Sequence, residues 1–355
     1  MVSAPSTPTT RRPGAHHKPP TTRSAPEWVR RLALGGAIAL PYVLLAIFRG
    51  VGPDTPNAKL DRLGSEIKWG SSDLGFVRDM YPPLPSGIAG ALPGGRLALG
   101  IAGALLAAFV LEFLITRLRR RQHPWWLIAP VIIGIGAMPV YARTAIDDLA
   151  TFAGLAALIF AVAGLLEFTG LGDTGGGFRA GLALGIGVAC DLNVAVYAVA
   201  IGVAAPLIAR RRYQGIPYAT QAAMLVLIFP ACAALTGWAY LEWRFSGGAF
   251  HAVHLVGGGT DGLTATLLAI ATSPVFLLSA VILLRQNAAA AVALAIPVLS
   301  LMISTGLGLT NGGGTDHIVL ALIGAFTIAA NPSLTVIRLY ALAVVIQVGL
   351  GSVLA

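Results

Sequence analysis

The chain has 355 residues, 56% of them hydrophobic and only 11% charged, with a mean hydropathy of +0.79 and a formal net charge of +9. That balance excludes a soluble globular domain, which needs a polar surface. The basic excess does not point to nucleic acid either. The Lys and Arg residues cluster beside apolar runs, as at 117–121 and 210–212, without the aromatic interleaving of RNA readers. Such clusters are the usual cytoplasmic anchors of a membrane protein.

Taken in order, residues 1–28 are rich in Pro, Thr, Ser, Arg and His and nearly devoid of aliphatic side chains. They read as a disordered cytoplasmic tail, because they bury too little to offset the entropy of ordering. His16 and His17 belong to that tail and have no further ligand-type residue beside them. From 29 to 355 the pattern is that of one all-α, polytopic transmembrane domain. Apolar runs are expected to span near 32–48, 94–116, 126–142, 149–168, 218–241, 263–284, 288–307, 316–331 and 334–354. The stretch 179–209 is too long for one span and is interrupted by Asp191 and Asn193. Basic residues flank it on both sides, so it reads as two shorter helices joined by a polar turn that protein must surround. One long tilted helix is the alternative. Counting the pair as two gives eleven segments in the cytoplasmic membrane, with the N-terminus cytoplasmic and the long 49–93 loop external.

The acids are few enough for their positions to be informative. Asp54, Asp61, Glu66, Asp73 and Asp79 fall in the first external loop, Asp147 and Asp148 in the turn between the third and fourth spans, and Asp191 at the tip of the broken pair. Three separate stretches thus bring carboxylates to one membrane face. In the loop, S-D-L-G-F-V-R-D-M-Y-P-P-L-P places Asp73, Arg78 and Asp79 just before Tyr81-Pro82-Pro83. Proline fixes its own φ and restricts the residue before it, so this turn is stiff. Cys190 and Cys232 both fall inside expected spans, which implies no disulfide framework. No phosphate-binding loop, zincin motif or serine-hydrolase elbow is present.

These stretches, in their order along residues 30–260, resemble the GT-C superfamily of integral-membrane glycosyltransferases. The likeness is carried by the external loop with Asp73, Asp79, Tyr81, Pro82, Pro83 and Leu84, and by M-P-V-Y-A-R-T-A-I-D-D with Pro139, Asp147 and Asp148. It continues in G-L-A-L-G-I-G-V-A-C-D-L-N and in W-R-F-S-G-G-A-F with Trp243, Phe245, Gly247 and Phe250. The first loop departs from the family in lacking an Asp-Asp or Asp-Glu pair. The resemblance implies a polyprenyl-phosphate sugar donor used at the outer face, and a cell-envelope glycan, lipid or protein acceptor.

On that reading an inverting transfer needs a carboxylate to take the acceptor's proton, with Asp73 as first choice and Asp79 as second. Charge developing on the leaving phosphate needs a cation, and Arg78, Arg143, Arg244 or a divalent metal ion suits that task. Tyr81, Asp147, Asp148, Asp191 and Asn193 support the site. Two other classes compete: a transporter or lipid flippase with a broken-helix site around Asp191, and a non-catalytic scaffold on the same fold.

Overall fold

The computed structural model describes residues 26–72, 74–212, 217–251, 253, 255, 259–286, 288–310, 312–328 and 332–353. The tail over 1–25 and Asp73, the first choice for a base, lie outside the described residues. Every regular element among the described residues is helical. In chain order these are α1 (Glu27–Arg49), α2 (Pro56–Ser65), α3 (Pro83–Ala91), α4 (Gly95–Arg120), α5 (Trp125–Gly136), α6 (Pro139–Asp147), α7 (Leu149–Leu171) and α8 (Thr174–Cys190). Then follow α9 (Asn193–Arg212), α10 (Ala219–Ser246), α11 (Thr260–Ala271), α12 (Pro274–Gln286), α13 (Ala288–Gly306), α14 (Gly314–Phe326) and α15 (Leu334–Val353). A 3-10 turn, Gly75–Asp79, sits between α2 and α3.

Among the described residues four helices, α1, α4, α7 and α10, are long and apolar enough to cross a membrane, and up to six spans result if each of two bent pairs counts as one. Those pairs put a bend inside the runs 126–142 and 263–284, each read from the sequence as one span. The chain bends by 57° between α5 and α6 and by 68° between α11 and α12. Both breaks fall at a proline, Pro139 and Pro274, which opens the second helix of its pair. A proline lacks the N–H for the helical ladder and drives its predecessor out of the helical region, and Met138 is extended at φ −63°, ψ 123°. Shorter apolar stretches among the described residues are Asn193–Leu207 in α9, Leu294–Gly306 in α13, Gly314–Phe326 in α14 and Leu334–Leu350 in α15. The expected break in 179–209 is found at Asp191 and Leu192, where Asp191 is extended and its Oδ1 accepts from the Asn193 N–H at 2.9 Å.

Close packing through small residues holds the middle of the bundle. A Cβ on Gly164 would stand 2.6 Å from the Gly176 carbonyl oxygen, and one on Gly181 would stand 2.0 Å from that of Val226. Helix α8 therefore lies backbone to backbone with α7 on one side and α10 on the other, the mode by which helices associate where lipid offers no hydrophobic drive. Helix α14 is buried from Asp316 to Phe326, as expected of a helix apolar on every side.

The bundle has two chemically distinct ends. At the basic end, Arg117 and Arg179 share the Glu167 carboxylate, and Arg121 donates to the Phe326 carbonyl at 2.9 Å, at the C-terminus of α14. A cation there offsets the partial negative charge of the helix end. The opposite, acidic end carries Asp147, Asp148, Asp191 and Asp316, and it is covered by the 49–93 segment. That segment is more ordered than its polar composition indicated. Thr55 caps α2, Pro56 opens it, and α2 crosses α3 so closely that a Cβ on Gly64 would meet the Gly90 nitrogen at 2.6 Å. Asn57 fastens this module to the bundle. It is fully buried, its Nδ2 donates to the Ile146 carbonyl at 2.7 Å, and its Oδ1 accepts from the Leu149 N–H at 2.8 Å.

Candidate functional site

The residues singled out by sequence divide into an exposed set and an interior set. Asp79 ends the 3-10 turn and is exposed, as is Arg78 beside it. Arg143 on α6 and Arg244 in the last turn of α10 are exposed too, and the Arg244 guanidinium lies over the Phe245 ring at 5.6 Å. The three arginines lie on three different elements, the 3-10 turn, α6 and α10. Gly247, in the segment likened to a known external motif, caps α10 with a φ of 78°, a backbone conformation suited to glycine.

The interior set converges. Tyr81 leaves the 49–93 module and its hydroxyl donates to the Val188 carbonyl at 3.2 Å, in the last turn of α8. Its ring lies 6.3 Å from that of Trp238 on α10. Burial first, then the neighbouring Asp191, Cys190 and Glu242, push the Tyr81 phenol well above its ordinary pKa, so it stays a neutral donor. The loop is thereby seated on the α8–α9 break.

Asp147 and Asp148 are adjacent in sequence but act separately. Asp147 pairs with Arg49 at 3.1 Å, tying the end of α1 to the end of α6. Asp148 caps α7 by accepting from the Thr151 N–H at 3.0 Å and lies within electrostatic reach of Asp191. Burial raises the Asp148 carboxyl above the usual range, partly countered by its bonds to Thr151. Gly154 makes this approach possible, since a Cβ there would stand 2.6 Å from that of Asp191.

Beyond Asp191 the polar line continues along one face of α9, where Asn193 and Tyr197 stand one turn apart. The Asn193 Oδ1 and the Tyr197 hydroxyl are buried without a hydrogen-bond partner. Tyr197 is also within electrostatic reach of both Asp191 and Asp316. Asp316 itself accepts from the Thr266 hydroxyl at 2.7 Å, and Thr266 in turn bonds Thr305 at 2.8 Å. On the other side of Tyr81, Glu242 is fully buried, accepting from Trp238 Nε1 at 2.8 Å while its Oε2 has no partner. Buried polar groups are ordinarily satisfied. The Asn193 Oδ1, Tyr197 hydroxyl and Glu242 Oε2 are three exceptions in the neighbourhood of these carboxyls.

Glu242, Tyr197, Asp316 and Asn57 did not emerge from the sequence as site residues. For Glu242 and Asp316 a signal existed, since an ionisable residue inside an apolar run is a functional candidate by default. A divalent cation was expected as one way to hold the phosphate. The described residues gather no group of three His, Cys, Asp or Glu that would hold one, so no step is assigned to a metal. Comparison of the chain with protein-family models, curated proteins and solved structures finds no match.

Proposed function

We propose that the chain is a multi-pass membrane glycosyltransferase of the GT-C kind, which moves a sugar from a polyprenyl-phosphate donor to a cell-envelope acceptor at the outer face of the membrane. The observation that carries this reading is the seating of Tyr81, from the loop module, on the α8–α9 break beside Asp191 and Glu242. A loop, a helix break and a helix end thereby contribute acids and hydrogen-bonding groups to one place, as a transfer between two bound substrates requires. In this assignment Asp73 or Asp79 takes the acceptor's proton, while Asp148, Asp191 and Asn193 line the chamber. Arg78, Arg143 and Arg244, at its rim, receive the lipid phosphate. Arginine suits that task because its planar fork of donors matches phosphate oxygens.

The test is transfer of radiolabelled sugar from polyprenyl phosphate in membranes containing the protein, with Asp73→Asn, Asp79→Asn and Asp191→Asn compared at equal expression. Loss of a general base commonly lowers the rate about 10²–10⁴-fold. No transfer by the wild type across a panel of sugar donors and acceptors would reject the assignment. A carrier is the second reading, favoured by the interruptions at Pro139, Asp191 and Pro274, since discontinuous helices are a hallmark of transporter sites. It is distinguished by movement of the labelled lipid between leaflets without cleavage of the sugar–phosphate bond.

A further inference from the structure

At the basic end, remote from the acids, a groove of about 270 Å³ opens between α4 and α8. Its floor is α7, at Phe160 and Gly164, and its walls are Phe113 of α4 and Leu182, Ala183 and Ile186 of α8. Phe113 meets Phe160 edge-on at 4.7 Å, which gives the wall a fixed aromatic face. Leu182 and Ile186 are exposed, so the groove continues onto the outer surface of the bundle. From Arg179 to Ile186 the wall runs seven residues, a rise of about 10 Å. Its mouth is formed by Arg117 and Arg179, held by the carboxylates of Glu167 and Asp173.

We propose that this groove holds an anionic phospholipid of the adjoining leaflet, with one acyl chain along Phe113, Phe160, Leu182 and Ile186 and its phosphate on Arg117 and Arg179. The argument is one of charge and of open donors. Glu167 accepts from both arginines and Asp173 accepts from Arg179 at 2.8 Å, so the two acids fix the guanidiniums in place. Arg117 Nε is nevertheless buried with no acceptor, and Arg179 remains largely exposed. Arg119, Arg120 and Arg121 follow on the same helix end, while Glu112 is the remaining acid on that stretch of α4 and accepts from Thr116. That end of the bundle thus carries five arginines, Arg117, Arg119, Arg120, Arg121 and Arg179, against the three acids Glu112, Glu167 and Asp173, and the exposed Arg179 is the cation a phosphate oxygen can reach. The wall beneath it is apolar, so a soluble anion would leave it uncovered. Basic residues at a membrane helix end that select anionic headgroups are a general device.

The experiment is native mass spectrometry of the full-length protein in detergent, titrated with phosphatidylglycerol and with phosphatidylcholine of the same chains. The wild type is expected to retain one phosphatidylglycerol in preference to phosphatidylcholine. Arg179→Gln should weaken that retention about fivefold, the worth of one arginine at an anionic surface. Leu182→Trp adds bulk at an exposed groove position without touching the ion pairs, and should lower retention of either lipid with the helical content unchanged. Equal retention of the two lipids by the wild type overturns the proposal, as does wild-type retention in both variants. Displacement of the lipid by free glycerol phosphate would show that the mouth reads a soluble anion, and would overturn it as well.

Discussion

Removing the Asn57 side chain should loosen the 49–93 module from the bundle. In Asn57→Ala two helix-end groups lose their partner at once: the Ile146 carbonyl near the end of α6 and the Leu149 N–H at the start of α7. Helix termini leave such groups without intrahelical bonds, and here a fully buried amide supplies both. Leaving one buried donor or acceptor unmatched costs about 1–3 kcal/mol, so the pair is expected to cost roughly 2–6 kcal/mol, less any coupling between them. At roughly 1.3 °C per kcal/mol in a chain of this size, the thermal transition of the detergent-purified protein should fall by about 3–8 °C. Asn57→Leu serves as the control, since it keeps most of the volume and restores neither bond. If hydrogen bonding rather than packing holds the module, both variants melt early and both expose the 49–93 segment to limited proteolysis. Wild-type melting and wild-type proteolysis in both variants would refute the reasoning.

The remaining predictions concern charge. Because burial raises the Asp148 carboxyl, the folded state binds that proton more tightly than the unfolded chain does, and the associated stability is lost as pH rises through the folded value. Asp148→Asn keeps an N-cap for α7 and should therefore melt higher than the wild type at neutral pH, with the advantage shrinking as pH falls toward the ordinary carboxylate range; an unchanged difference across that window would contradict it. The topology follows from the positive-inside rule: with native cysteines replaced, an impermeant thiol reagent on intact cells should label a cysteine at Ser71 and spare one at Gln122. The reverse pattern would invert the proposed orientation.

The break at Pro274 stood in the sequence without being legible there, whereas Pro139 was legible as a helix end but not as the start of a further helix. Pro41, Pro130, Pro206, Pro230 and Pro297 all sit inside helices, whereas Pro139 and Pro274 open new ones. Within a membrane bundle the groups freed by a proline are re-satisfied by neighbouring helices, so whether it interrupts a helix depends on partners distant in sequence. At Ser273, just before Pro274, the hydroxyl donates to the Ala269 carbonyl at 2.7 Å and also meets His317 of α14 at 3.1 Å. The Asp191 break was legible because its cause is local: a short acid that bonds the amide two residues on, with basic residues flanking the whole stretch. The long apolar runs were legible for the same reason, since length and composition alone define a span.

The same distinction separates the parts of the candidate site. Glu242 and Trp238 lie four residues apart on α10, so their bond could be anticipated from helical spacing. The partners of Asn57 lie 89 and 92 residues away, and no local pattern announces them. Asp147 and Asp148 carry this furthest. Read as sequence they are one acidic pair in a turn, and spacing gives no ground for assigning them different work. The structure divides them because α6 ends between them and α7 begins: the first side chain falls to Arg49 at the end of α1, the second to the N-terminus of α7 and the neighbourhood of Asp191. A substitution at Asp147 should therefore report on the docking of α1, and one at Asp148 on the start of α7 and the ionisation of Asp191, although the two residues share a peptide bond.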